Sequence, residues 1–172
     1  IGVKRISFII LIALFGCLTE SARVCAQALG EWNVYPSYYN ATRNVSVGTS
    51  VYSLMTGNLF RYDMEDESVK LYNCLDDLND VHISFIGYST EAKRLILVYD
   101  NQNIDLLDAD DNVVNIARLK DKALSGKQVS AVAVYGSYAY LITEFGFVEV
   151  DMAEAVIRET SKLNAKPTCL AR

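Results

Sequence analysis

One histidine, two prolines and four cysteines are all that 172 residues offer of three residue types that make metal sites, break strands or staple small folds. His82 has no Cys or His at ligand spacing, so no zinc site is written here. Two of the cysteines, Cys17 and Cys25, lie in the N-terminal apolar stretch. That leaves Cys74 and Cys169, too few for a disulfide scaffold. An exported compartment would permit a bond between them. They sit 95 residues apart in different repeats, however, and are read as separate half-buried thiols. A net charge of −5, with no long basic run, excludes a surface built to neutralise phosphates. Also lacking are an apolar run of roughly 20 residues, which a bilayer span requires, a G-x-S-x-G nucleophile signature, and any phosphate-binding or dinucleotide glycine loop.

What the chain has is repetition. Hydrophobic residues make up 51% of it, and eleven are tyrosines. The run VYSLMTGNLFRYD (51–63) alternates apolar and polar, turns at a glycine, alternates again and closes on Asp63. LILVYDNQNIDLLD repeats it and closes on Asp108, and AYLITEFGFVEVD closes on Asp151. The closing aspartates are 45 and 43 residues apart. A period of roughly 40–45 residues centred on a hairpin is that of a β-propeller blade. The fold class is therefore all-β, a partial β-propeller of about three four-stranded blades. Strands are expected over 43–47, 50–55, 59–63 and 68–72; over 81–88, 94–99, 103–108 and 113–119; and over 128–135, 138–143, 146–151 and 155–160. Leu106 and Val148 alternate with polar neighbours and are expected to face between blades.

Residues 1–26 are read as a signal peptide and set aside from the fold. Lys4 and Arg5 precede an uncharged run over 6–16, and Val24-Cys25-Ala26 forms a small-residue cleavage site that leaves Gln27 first. Leu14-Phe15-Gly16-Cys17 offers a rival lipoprotein reading, against which Phe15 is bulky. The domain then runs over 27–172, truncated at its C-terminal side. It has 13 basic and 20 acidic residues. Residues 30–35 are a candidate ring-closing strand, or else part of an aromatic segment (Trp32, Tyr35, Tyr38, Tyr39) capping the first blade. Residues 161–172 would open a fourth blade. Propellers close with about four to eight blades, so a piece of a longer protein is expected. In an open arc of three, Leu141 and Val148 are expected to lack partners.

Few groups suggest chemistry. Asp108, Asp110 and Asn112 match the start of a calcium loop, but Val113 stands where glycine is required and Leu119 where a glutamate is. His82 reads as a strand residue on the inner edge of the second blade. Asp76, Asp77 and Asp80 could form a carboxylate pair, but nothing in their spacing separates that from a solvated turn, and they are read as the turn. Gly57 and Gly146 take turn positions, and Asp63, Asp100, Asp108 and Asp151 end strands where Asx turns form. No catalytic, metal or cofactor residue is assigned, and no enzyme activity is expected.

The segment GNLFRYD (57–63), and more loosely GFVEVD (146–151), resembles the two-component-regulator propeller repeat; Asn103 replaces its glycine in the second copy. The order GEWNVYPSYYNATR, VYSLMTGNLFRYD, NQNIDLLD, YLITEFGFVEVD is more specific. It resembles the PorZ-type N-terminal propellers of the type IX secretion system over residues 30–160. That resemblance implies an exported, non-catalytic binding and scaffolding module at the outer membrane or cell surface. It further implies a PorU-like peptidase of the attachment complex as partner, anionic lipopolysaccharide or another glycan as ligand, and further domains beyond this segment. The alternative is the periplasmic sensor propeller of a hybrid two-component histidine kinase that recognises glycans. A propeller glycosidase or lyase is a third class, for which one histidine and no convincing carboxylate pair leave little support.

Overall fold

A computed structural model describes residues 35, 37–121 and 126–162. They form three four-stranded antiparallel sheets, each a simple meander in chain order. The first blade contains β1 (Ala41–Val47), β2 (Ser50–Met55), β3 (Asn58–Asp63) and β4 (Val69–Leu71). The second contains β5 (Ile83–Ser89), β6 (Arg94–Tyr99), β7 (Ile104–Asp108) and β8 (Val113–Asn115), followed by one helical turn, α1 (Arg118–Asp121). The third contains β9 (Val129–Tyr135), β10 (Tyr138–Thr143), β11 (Gly146–Asp151) and β12 (Val156–Lys162). The partial propeller read from the repeat is the fold observed.

The middle strands of each blade fall where alternation puts them, because Val, Ile, Leu and Tyr at every second position suit a pleated, half-buried surface. Between β2 and β3 the turn is two residues, with Met55 opposite Asn58. Thr56 and Gly57 have φ of 49° and 78°, the two positive values that a primed hairpin turn demands. The closing aspartates make one device three times over. Asp63 Oδ1 accepts the Glu65 N–H at 2.9 Å, Asp108 Oδ1 those of Asp110 and Asn112 at 2.9 Å, and Asp151 Oδ1 those of Ala153 and Glu154 at 3.0 Å. Each carboxylate thereby folds the turn into the outermost strand. Asp100 differs: its carboxylate takes the Ser84 hydroxyl.

Two cores lie between the blades. Tyr52, Leu54, Leu59 and Tyr72 of the first blade pack with Ile83, Ile86, Leu95, Leu97, Tyr99 and Leu107 of the second. Ile96, Val98, Ile104 and Leu106 of the second pack with Ala139, Leu141, Val148, Val150 and Ile157 of the third. Strand β6 thus feeds both cores, with odd-numbered residues to one side and even-numbered to the other, and residues 95–99 are all at most 2% exposed. Leu106 and Val148 face between blades as expected, both fully buried. Leu141 and Val148 do not lack partners: both belong to the covered face, against the second blade. The face of the third blade turned away carries Tyr138, Tyr140 and Phe147.

Three further differences have physical causes. The strand expected over 113–119 stops at Asn115. Ile116 N–H still bonds Ile104 O at 2.8 Å, and the chain then coils so that Leu119 joins Ile116 in the core between the second and third blades. His82 precedes β5 instead of lying in it, exposed and at a φ of 58°. Gly146 is the first residue of β11, not part of the turn. Residues 30–34 lie outside the described residues; Tyr35 is 88% exposed, and Tyr38 packs edge-on against Phe60 at 6.3 Å, as a segment capping the first blade would. Cys74 is an exposed free thiol, while Cys169 and residues 1–26 also fall outside the described residues.

Strands β1, β5 and β9 are innermost, and β5 touches both of the others. A Cβ on Gly87 of β5 would stand 2.8 Å from Val134 Cγ2 of β9, so only glycine permits this approach. If the two cores carry the fold, Leu106→Ala costs about 2–5 kcal/mol by cavity formation. Leu71→Ala, at a residue 50% exposed, changes stability by at most about 0.5 kcal/mol. Urea unfolding of the two variants measures the contrast.

Candidate binding surface

The turns of each blade alternate between two ends. The β1–β2, β3–β4, β5–β6, β7–β8, β9–β10 and β11–β12 turns share one end. The β2–β3, β6–β7 and β10–β11 turns and the inter-blade linkers share the other. Contacts across the blades confirm the alignment: Ser89 Oγ donates to Gly136 O at 2.6 Å, and Arg94 Nη1 to Met152 O and Ala153 O at 2.9 Å.

At the linker end the polar groups are committed. Asp105, fully buried, accepts the Tyr99 hydroxyl at 2.6 Å, Asn79 N and Nδ2 at 3.0 and 3.1 Å, and Asn115 Nδ2 at 2.7 Å. A buried carboxylate needs such donors. Burial and this carboxylate push the Tyr99 hydroxyl pKa upward. Asp80 accepts Lys120 Nζ at 2.8 Å, Asn101 Nδ2 at 2.5 Å and the Val81 N–H at 3.0 Å. Partial burial pushes its carboxyl up, but these donors outweigh burial and bring it down to about 2. A cleft of about 40 Å³ lined by Gly57, Tyr72, Cys74, Asp80 and His82 lies beside them, with room for a water or two.

The sequence candidates therefore separate. Asp80 serves Lys120, whereas Asp77 pairs with Lys70 at 3.2 Å and caps Asn73 N at 3.3 Å. Asp76 accepts Asn73 Nδ2 at 3.3 Å. His82 Nδ1 would lie 3.4 Å from a Cβ on Gly57, so its ring packs on the first hairpin. The calcium-like loop spends its first carboxylate on its own turn, Asp108 also taking Asn112 Nδ2. Among the described residues no cluster of three His, Cys, Asp or Glu could hold a metal.

Sequence reasoning missed Asp111. Its carboxylate draws in three groups of the first blade: Arg61 at 3.2 Å, Lys70 at 3.1 Å and the Tyr72 hydroxyl at 2.5 Å. Arg61 reaches it because, two residues on from Leu59, it shares the strand face turned toward the second blade, where Tyr72 also packs.

At the turn end an open groove of about 1,090 Å³ runs along the third blade. Tyr88, Ser89, Thr90 and Glu91 of the second blade line it with Ala133 to Tyr138 and Tyr140 of the third. Four tyrosines supply flat, rigid amphipathic surface of the kind used in recognition. No helix among the described residues is long and apolar enough to cross a membrane.

Repeated four-stranded blades packed face to face define a β-propeller. Residues 51–171 match the family described as the N-terminal beta-propeller domain of PorZ, TSS9, and the chain belongs to that family. It is similar to the solved structure of PorZ from Porphyromonas gingivalis, described as an essential bacterial surface component of the type IX secretion system. The identity is 29%, the TM-score 0.71 and the coverage 78% of this chain. The extracellular domain of a putative one-component system of B. thetaiotaomicron aligns over 78% of the chain with TM-score 0.58 at 11% identity. That of a putative hybrid two-component system from the same organism covers 73%, with TM-score 0.58 at 10% identity. The chain spans 18%, 18% and 17% of these three proteins, and the latter two show the fold alone. No curated protein sequence matches.

The Asp80 cluster has a pH signature. A carboxyl whose folded pKa of about 2 lies below the unfolded value of about 3.9 stabilises the fold above about pH 4 and loses that contribution as pH falls through about 2. Lys120→Met should move the Asp80 midpoint upward in a carboxyl NMR titration. Its destabilising effect should be full at pH 6 and vanish near pH 2.

Proposed function

We propose that the chain is a non-catalytic binding and scaffolding propeller of the type IX secretion machinery. It would be exported under residues 1–26 and act at the periplasmic or outer-membrane surface beside a PorU-like peptidase. The observation that carries this reading is membership of the PorZ family over residues 51–171, joined to the likeness to P. gingivalis PorZ at 29% identity. The geometry supports the absence of catalysis: His82 lies on a hairpin and the linker-end carboxylates each hold a separate structural partner. Anionic lipopolysaccharide is the second partner. With 13 basic against 20 acidic residues over 27–172, its contact with this propeller would rely on hydroxyls and rings more than on charge.

The sensor reading rests on the Bacteroides ectodomains, whose low identity carries fold only. Deleting the gene in its native host tests the two together. Under the secretion reading, cargo proteins accumulate with uncleaved sorting signals, and the tagged full-length protein recovers a PorU-like peptidase after cross-linking. Normal cargo processing with altered transcription of a glycan-utilisation locus would replace this reading with the sensor.

A further inference from the structure

We propose that the tyrosine groove at the turn end is a docking site for a cationic polypeptide segment, held by an arginine or lysine side chain. This deepens the proposed function, since it rests on the propeller being a binding module and names the chemistry of the partner.

The groove is aromatic and carries one charge. Of the residues that line it only Glu91 bears a carboxylate and none is Lys or Arg, and Glu91 is exposed and forms no ion pair among the described residues. Two nearby cations are engaged elsewhere: Arg94 donates to two carbonyls of the β11–β12 turn, and Arg158 binds Asp151 at 2.9 Å. Lys93, exposed in the same turn as Glu91, does not line the groove. Beyond the groove, Glu149 lies opposite Tyr140 across the β10–β11 pair. Aromatic faces attract cations and repel anions through the ring quadrupole. A carboxylate beside them adds a charge-assisted hydrogen bond to a guanidinium or ammonium. Among the lining residues an anionic sugar would meet Glu91 with no cation to offset it, so contact with lipopolysaccharide would fall on another surface of the propeller.

Position in the fold keeps part of the groove open. Tyr138 and Tyr140 lie on the face of the third blade turned from the second, the face to which another sheet could stack. Tyr135 ends β9, an innermost strand, and is 65% exposed. A Cβ on Gly136 would stand 3.2 Å from Glu91 Oε2, so the β9–β10 turn and the carboxylate meet where Tyr135 emerges. Tyr135 and Glu91 therefore meet at the turn end of the inner strands, and the test is confined to them.

The full-length protein is titrated calorimetrically with tetra-arginine amide, the uncharged isostere tetra-citrulline amide, and tetra-glutamate. The arginine peptide is expected to bind and the other two not. Glu91→Gln and Tyr135→Ala should each weaken binding about tenfold, and Tyr39→Ala, at the linker end, should leave it unchanged. Circular dichroism melts establish that the variants fold. Equal binding of the citrulline peptide, or binding indifferent to both substitutions, overturns the proposal. So does protection of Tyr135 from nitration in the free full-length protein, which would mean that the chain covers its own groove. These outcomes are read on purified protein, so they stand apart from the secretion phenotype: a sensor propeller could still bind the peptide, and a secretion component could fail to.

Discussion

Sheet packed on sheet through both faces of the second blade is the interaction on which the structure depends. A lone four-stranded sheet with apolar side chains on both faces cannot bury either. Strand β6 illustrates the consequence: Leu95, Leu97 and Tyr99 enter one core, Ile96 and Val98 the other, and none is more than 2% exposed. Period-two alternation usually separates core from solvent; here it separates one core from another, which is why RLILVY reads as a continuous apolar run. Blade stability is thus a property of neighbours, as in other repeat architectures.

That packing fixes where polar groups can go. The inner strands come so close that Gly87 has no room for a Cβ beside Val134. Outer strands diverge, and side chains with charge span the gap. Asp111 gathers Arg61, Lys70 and Tyr72 from the neighbouring blade, and Asp105 is buried at the cost of four donors. Breaking one partner of such a set leaves an uncompensated group. The groove proposed as a docking site lies at the turn end, around Tyr135 and Glu91.

Much of this was legible in the chain because each blade repeats its own instructions. Alternating runs placed the central strands, and the aspartates at 63, 108 and 151 announced a turn that the backbone then makes in all three blades. Illegible features depend on what lies opposite. Leu119 looked like the end of a strand, and only the space beneath β8 draws it into a helical turn. Leu141 looked stranded on an open arc because alternation gives parity but not which parity faces the neighbour. Asp105 interrupts the run IDLL, a signal that a buried polar anchor was needed, but Asn79 and Asn115 could not be inferred as its donors. The groove tyrosines come from two blades and converge only through strand register.

The central claim, that neighbouring blades are held at contact distance through their inner strands, is tested most directly by a double-mutant cycle on Gly87 and Val134, with unfolding free energies measured in urea. Gly87 has an ordinary backbone conformation, so Gly87→Ala adds a methyl group and little else. On this account Gly87→Ala destabilises the native chain by about 1–3 kcal/mol through overpacking, and most of that loss disappears when Val134→Ala has already made room. The expected coupling is at least about 0.5 kcal/mol. Additive effects, or a Gly87→Ala substitution without cost, would mean that the inner strands do not meet and that the blades are held some other way.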